Sequence, residues 1–173
     1  MDEVTAIVNS HLHFDHCGNN RLFPGIPIFV QEDEWAAAEE PHYTVTEWVH
    51  FPGACYVTFR GRRRISDHLE LVPTPGHTSG HQSLVVHTTG GLELIVAQAA
   101  YTAAEFDASG PSGSGSASPD GTESAEAYAR SLATLYGFGA HRAYFSHDPT
   151  VWTRPASETP PGSRGSGKQG RLR

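Results

Sequence analysis

The chain has 173 residues, with 12 Lys and Arg against 19 Asp and Glu and a net charge of −7 when histidine is neutral. That length suits one domain with its own core, and the acidic balance excludes a general nucleic-acid binder, which needs a basic face for phosphates. The two cysteines, Cys17 and Cys55, form no CxxC pair, so neither a disulfide scaffold nor a cysteine-rich metal site is on offer.

Met1-Asp2-Glu3 has neither the basic end nor the apolar stretch of a signal peptide. No apolar run is long enough to span a bilayer, so the expected location is the cytoplasm, with no membrane partner. Residues 4–9 read as a short buried strand, and His11-Leu12-His13-Phe14-Asp15-His16 as the loop that follows it. Residues 19–25 form a turn region, and residues 26–30 a second strand that begins at Pro24 and Pro27. Residues 32–40, with Trp35 and three alanines, read as a helix stopped by Pro41. Residues 41–53 favour neither element.

Residues 55–60 and 69–72 look like strands around a turn at Gly61. The basic cluster Arg60-Gly61-Arg62-Arg63-Arg64 reads as a solvated loop or hairpin face in preference to a phosphate patch. Thr74-Pro75-Gly76-His77 is a sharp turn. Residues 82–87 and 92–97 form a hairpin about Thr89-Gly90-Gly91. Residues 109–120, rich in Ser and Gly, are expected to be a flexible loop. A helix over residues 123–136 has apolar positions at Ala125, Tyr128, Leu132 and Leu135 and stops at Gly137. Residues 143–145 make a last strand that runs into Ser146-His147-Asp148. Residues 154–173 read as a disordered tail, which leaves residues 1–153 as the domain.

Imidazole nitrogens and carboxylate oxygens are ligands for zinc and similar ions. HLHFDH places four such side chains at the mouth of a strand. His11 and His13, at i and i+2, can converge on one metal, while Asp15 and His16 face elsewhere and serve a second. The competing reading, a solvated histidine loop, is weakened by His77 in PTPGHTSGH and His147 in YFSHD. Both stand at strand ends, where α/β proteins place their sites, and Gly76 and Gly80 permit close backbone approach.

His81 reads as a structural or supporting residue of the glycine turn, and Cys17 as a small buried filler. His42, His50, His68, His87 and His141 read as surface or internally satisfied histidines. Asp148 is a candidate to orient His147. Residues 162–168 fit GxxxxGK, but Gln169 follows and no strand precedes, so no nucleotide site is implied. There is no GxSxG nucleophile elbow.

HLHFDH, HFDHCGNN, FVQEDEW, TPGHTSGHQSLVV, AAYTAAEF and FSHD together resemble the metallo-β-lactamase fold hydrolases over roughly residues 4–150. Within them the chain looks most like the N-acyl homoserine lactonases, the quorum-quenching enzymes. The resemblance implies an α/β fold, an αββα sandwich. Only ten residues precede His11, where the family carries several strands, so the expectation is a sandwich truncated at its N-terminus. It also implies two zinc ions, one held by His11, His13 and His77, the other by Asp15, His16 and His147.

The implied reaction is opening of a small-molecule lactone by metal-bound hydroxide. Tyr101 would steady the oxyanion, and Asp15 would pass a proton to the leaving alkoxide. Phe14 and Phe106 are candidates to line an acyl groove. The chain departs from the family at Gln98, which stands where an aspartate bridges both ions. A glutamine amide is neutral and has one good ligand oxygen, so one ion or a weakened second site, with impaired activity, is expected. The alternatives are a glyoxalase II-like thioester hydrolase with the same ligand set and a non-catalytic metal-binding remnant.

Overall fold

A computed structural model describes residues 3–110 and 124–156 of the chain. Three strands, β1 (Ile7–Val8), β2 (Pro27–Gln31) and β3 (Cys55–Phe59), pair in parallel in the order β1-β2-β3. A six-stranded sheet follows in chain order: β4 (Arg63–Ser66), β5 (Leu69–Pro73), β6 (Gln82–Thr88), β7 (Gly91–Ala97), β8 (Arg142–Phe145) and β9 (Trp152–Thr153). Its neighbours are antiparallel except β7 and β8, which are parallel and need a crossover. That crossover carries α4 (Ala103–Ala108) and α5 (Ala125–Gly137). The helices α1 (Phe14–Cys17), α2 (Glu32–Ala37) and α3 (Thr46–Val49) belong to the three-stranded half.

Each sheet buries its apolar side under its own helices. From the larger sheet, Val72, Val85, Leu94 and Val96 pack with Phe106, Tyr128, Leu132, Leu135, Tyr136 and Trp152. The buried positions of α5 (Tyr128, Ser131, Leu132, Leu135 and Tyr136) follow the i, i+3, i+4, i+7, i+8 stripe of a helix resting on a core. Under the smaller sheet, Val30 packs with Leu12, Cys17, Ala38 and Val49, flanked by Trp35, Tyr43, Trp48 and Tyr56. Each fully buried Leu or Val contributes about 1.5–3 kcal/mol.

Polar side chains bridge the two sheets. The Gln82 amide on β6 donates to the carbonyls of Asn9 (2.8 Å) and Phe29 (3.1 Å), and its Oε1 accepts from Gln31 Nε2 at 3.0 Å. The Gln82 backbone N–H also donates to Ser10 O at 2.8 Å. Gln31 in turn pins Gly61 through both its amide groups, at 3.0 and 3.1 Å. Gly61 is left-handed, with φ 79°, and there the chain leaves one sheet for the other.

This crossing separates the two strands expected around Gly61. Residues 55–59 join the parallel sheet, and β5 pairs instead with β4. The charged β4 lacks an apolar alternation; Arg63 on it and Arg62 just before it pack through their guanidinium planes. The Arg63 guanidinium lies 5.4 and 5.2 Å from the Phe29 and Phe59 ring centres, and Arg62 lies 4.7 Å from Phe138.

Helices α3 and α4 and strand β9 are too short to show in sequence periodicity; tertiary packing forms them. The HLHFDH string is partly helical, since His13 O accepts from His16 and Cys17 N–H. Arg154, at the boundary drawn for the tail, donates from Nε to Ala140 O and from Nη2 to Tyr136 O. The Ser/Gly stretch from residue 111 and the tail from residue 157 lie outside the described residues. Among the described residues no helix is long and apolar enough to cross a membrane.

Replacing Gln82 by Leu removes a donor from the Asn9 and Phe29 carbonyls and the acceptor of one Gln31 amide hydrogen. The expected loss in urea denaturation is about 2–3 kcal/mol of unfolding free energy. A loss under about 0.5 kcal/mol, the range of a neutral surface change, would show that something else holds the sheets together.

Candidate metal centre

Loops from four strand ends, drawn from both sheets, meet at one place. The segment after β1 carries His11 and His13, and the α1 turn carries Asp15 and His16. His77 follows β5, Gln98 and Tyr101 follow β7, and His147 follows β8. The six expected ligands fall into two groups, His11/His13/His77 and Asp15/His16/His147. Within each group the donor atoms lie within 4.8 Å of one another.

The first group is the more buried. His13 Nδ1 and His77 Nε2 are 3.2 Å apart, and the His11 ring stands edge-on to both at centroid distances of 4.7 Å. The outward nitrogens are held: His11 Nδ1 lies 3.1 Å from Ser10 Oγ, and His77 Nδ1 lies 3.0 Å from the Tyr101 hydroxyl. His11 Nε2 is buried with no hydrogen-bond partner. A buried polar nitrogen left bare costs free energy, and a metal ion would satisfy it.

The second group is a near-equilateral triangle. Asp15 Oδ2, His16 Nε2 and His147 Nε2 are separated by 3.4, 3.6 and 3.3 Å. Ligands about 2.0–2.1 Å from a tetrahedral ion lie about 3.3–3.4 Å from each other, so this donor set fits a metal. The His11 and His16 rings are 4.1 Å apart, and the two groups therefore abut.

Burial, reinforced by the neighbouring imidazoles, holds the His77 pKa down to about 4 and that of His81 to about 3. The same causes lower His11, and burial lowers His16. The rings are therefore neutral at pH 7, which is the form that binds metals.

Glu34 holds the two histidine loops together. It is fully buried, and its carboxylate accepts from Leu12 N–H (2.7 Å), from the Thr78 hydroxyl (2.6 Å) and from the Tyr43 hydroxyl. Burial pushes its pKa up, and these three hydrogen bonds pull it back. Gly80 makes the close approach possible: a Cβ there would stand 2.0 Å from the Glu34 backbone nitrogen. Sequence reasoning missed Glu34 because it is one of three consecutive acids. The available signal was its spacing of four from buried Ala38, on the same helical face.

His81 is buried and lies outside both groups. Its Nε2 accepts from Gln98 N–H at 3.2 Å, so Nδ1 carries the proton and donates to Thr74 Oγ1 at 2.9 Å. The chain continues through Ser83 Oγ (2.8 Å) to Val96 O (3.0 Å) and ties the His77 loop to the end of β7.

Four further residues singled out in the sequence have definite places in the structure. Phe106 is fully buried among Tyr136, Phe145 and Trp152, so it belongs to the core and lines no groove. Phe14 is 57% exposed, beside Trp48. Asp148 accepts from Ala103 N–H (2.9 Å) and Thr150 N–H (2.8 Å), which hold its pKa below the usual range. It thus anchors the start of α4, and His147 is instead met by Asp15, His16 and, in a stacked contact, Tyr101. Cys17 is a buried filler whose thiol donates to Leu12 O at 3.4 Å.

Two metal-fitting donor groups at the strand ends of a two-sheet fold define a class of metal-site protein. The chain matches the family described as the metallo-beta-lactamase superfamily over residues 2–147, and it belongs to that superfamily. An N-acyl homoserine lactonase of Bacillus cereus is 36% identical over 107 residues, which are 61% of this chain and 42% of that protein. The N-acyl homoserine lactonase AttM of Azorhizobium caulinodans is 28% identical over 179 residues, covering 92% of this chain and 63% of that one. A solved quorum-quenching N-acyl homoserine lactone hydrolase aligns with a TM-score of 0.71 at 31% identity, over 86% of this chain and 59% of its own. The chain therefore spans less than two thirds of the length of these relatives.

Glu34→Gln keeps the volume but turns one acceptor into a donor facing other donors. The expected cost is about 1–3 kcal/mol in chemical denaturation. Unchanged stability would remove Glu34 from its place as the tie between the loops.

Proposed function

We propose that the chain is a zinc-dependent hydrolase that opens the lactone ring of N-acyl homoserine lactones. The observation that carries this reading is the meeting of six donors in two abutting groups beside a tyrosine hydroxyl. The likeness to lactonases supports the choice of substrate. His11, His13 and His77 would hold one ion, and Asp15, His16 and His147 a second. Ions bound there supply Lewis acidity and a hydroxide nucleophile at neutral pH.

The chain's own residues do the remaining work. With its Nε2 turned toward His13, His77 offers Nδ1–H to the Tyr101 oxygen, which leaves the tyrosine proton free. Tyr101 donates that proton's hydrogen bond to the lactone carbonyl oxygen as negative charge develops on it. Asp15, 39% exposed, takes the proton released by the attacking water and delivers it to the ring oxygen as the acyl C–O bond breaks. Water is thereby added across that bond, giving one carboxylic acid and one alcohol. Exposed Phe14, beside Asp15 and facing Trp48, offers apolar surface to the acyl chain.

The test is a pH-stat assay of the zinc-loaded full chain with N-hexanoyl homoserine lactone, in which each turnover releases one acid equivalent. Tyr101→Phe is expected to lower kcat about 100-fold with little change in KM, and His11→Ala to abolish turnover. A folded, zinc-loaded chain that leaves the lactone intact overturns the proposal.

A further inference from the structure

Of the six donors, five are imidazoles, which bind a metal in the neutral form, and one, Asp15, is a carboxylate, which binds as the anion. Two divalent ions placed in the abutting groups would meet with four positive charges against one negative. Their mutual repulsion is four times that of unit charges at the same distance. The side chain positioned to relieve it is Gln98. Its amide reaches His16 in one group and Tyr101, whose hydroxyl holds His77 in the other. Gln98 is 6% exposed, and its Oε1 is buried without a hydrogen-bond partner. An amide oxygen can enter the shell of one ion, but it is uncharged and cannot serve two as a carboxylate does.

We infer that Gln98 makes the centre asymmetric: His11, His13 and His77 take one divalent ion tightly, and Asp15, His16 and His147 take a second only weakly. This rests on the ligand assignments of the preceding section. The buried group fills first because His11 Nε2 has no partner until an ion arrives, and because Ser10 and Tyr101 already set two of its three rings. In the other group the Asp15 and His147 side chains are 39% and 43% exposed. Their solvation in the empty state must be given up on binding. The first ion then sits beside this group, the His11 and His16 rings being 4.1 Å apart. The second ion is an exchangeable one, and its occupancy follows the free metal concentration.

The experiment is a titration of the metal-free full chain with zinc by calorimetry, repeated with cobalt(II) and read by visible absorption, with circular dichroism to confirm folding. Wild type is expected to show one tight ion per chain and a second bound about 100-fold more weakly. His147→Ala should keep the tight ion and lose the weak one, and Gln98→Asp should bring the two affinities together. Two ions of equal affinity in wild type would overturn the inference while leaving the ligand assignments standing. So would a Gln98→Asp chain that folds and still shows the wild-type gap. Failure of the wild type to bind any ion would overturn the ligand assignments themselves, and the inference with them.

Discussion

The carboxamide of Gln82, carried on β6 of the larger sheet, bonds to three groups of the smaller one, and the rest of the molecule is arranged around that contact. Its nitrogen donates to carbonyls on either side of the gap between β1 and β2, and its oxygen accepts from Gln31. Gln31 then fixes Gly61, where the chain passes from one sheet to the other. A buried amide commits the two sheets to one register, because any slip leaves several polar groups without partners. The loops that carry the metal-fitting donors leave β1, β5 and β8. Their mutual distances are therefore inherited from the spacing of the sheets.

Glu34 repeats the device one layer closer to the site. Its carboxylate binds the backbone of the first histidine loop and the hydroxyl of the second, with Tyr43 as the third donor. His81 does the same between the second histidine loop and the end of β7. The imidazoles thus sit in a frame made by other polar residues, and burial keeps His11, His77 and His81 neutral. Gln98 breaks the pattern. Almost every other polar group of the frame is matched, yet its Oε1 is left bare among neutral rings. Local inconsistency of this kind is characteristic of functional sites.

Much of this was legible in the chain itself. The apolar run, the His/Asp string after it, the glycine turn around His77 and the strand-end His147 locate the site without coordinates. The hairpin at Thr89-Gly90-Gly91 and the long helix follow from turn chemistry and a 3.6-residue period. What misled was local: Phe106 and Asp148 had suitable chemistry near the site, but packing sent one into the core and the other to the start of α4. Glu34 lay hidden in an acidic run, since burial of one acid among three depends on what covers that helix face.

The sequence by itself determined the kind of chemistry, because ligand atoms belong to residue types and their spacing along a loop restricts how they can converge. It also places a neutral amide at position 98, whatever the fold around it. Only the tertiary structure decided which residues meet. The six donors come from positions 11 to 147 and become neighbours through sheet pairing and polar clamps between residues far apart in the chain. Such contacts depend on long-range closure and on the burial of unsatisfied groups. Neither quantity is written in any one segment.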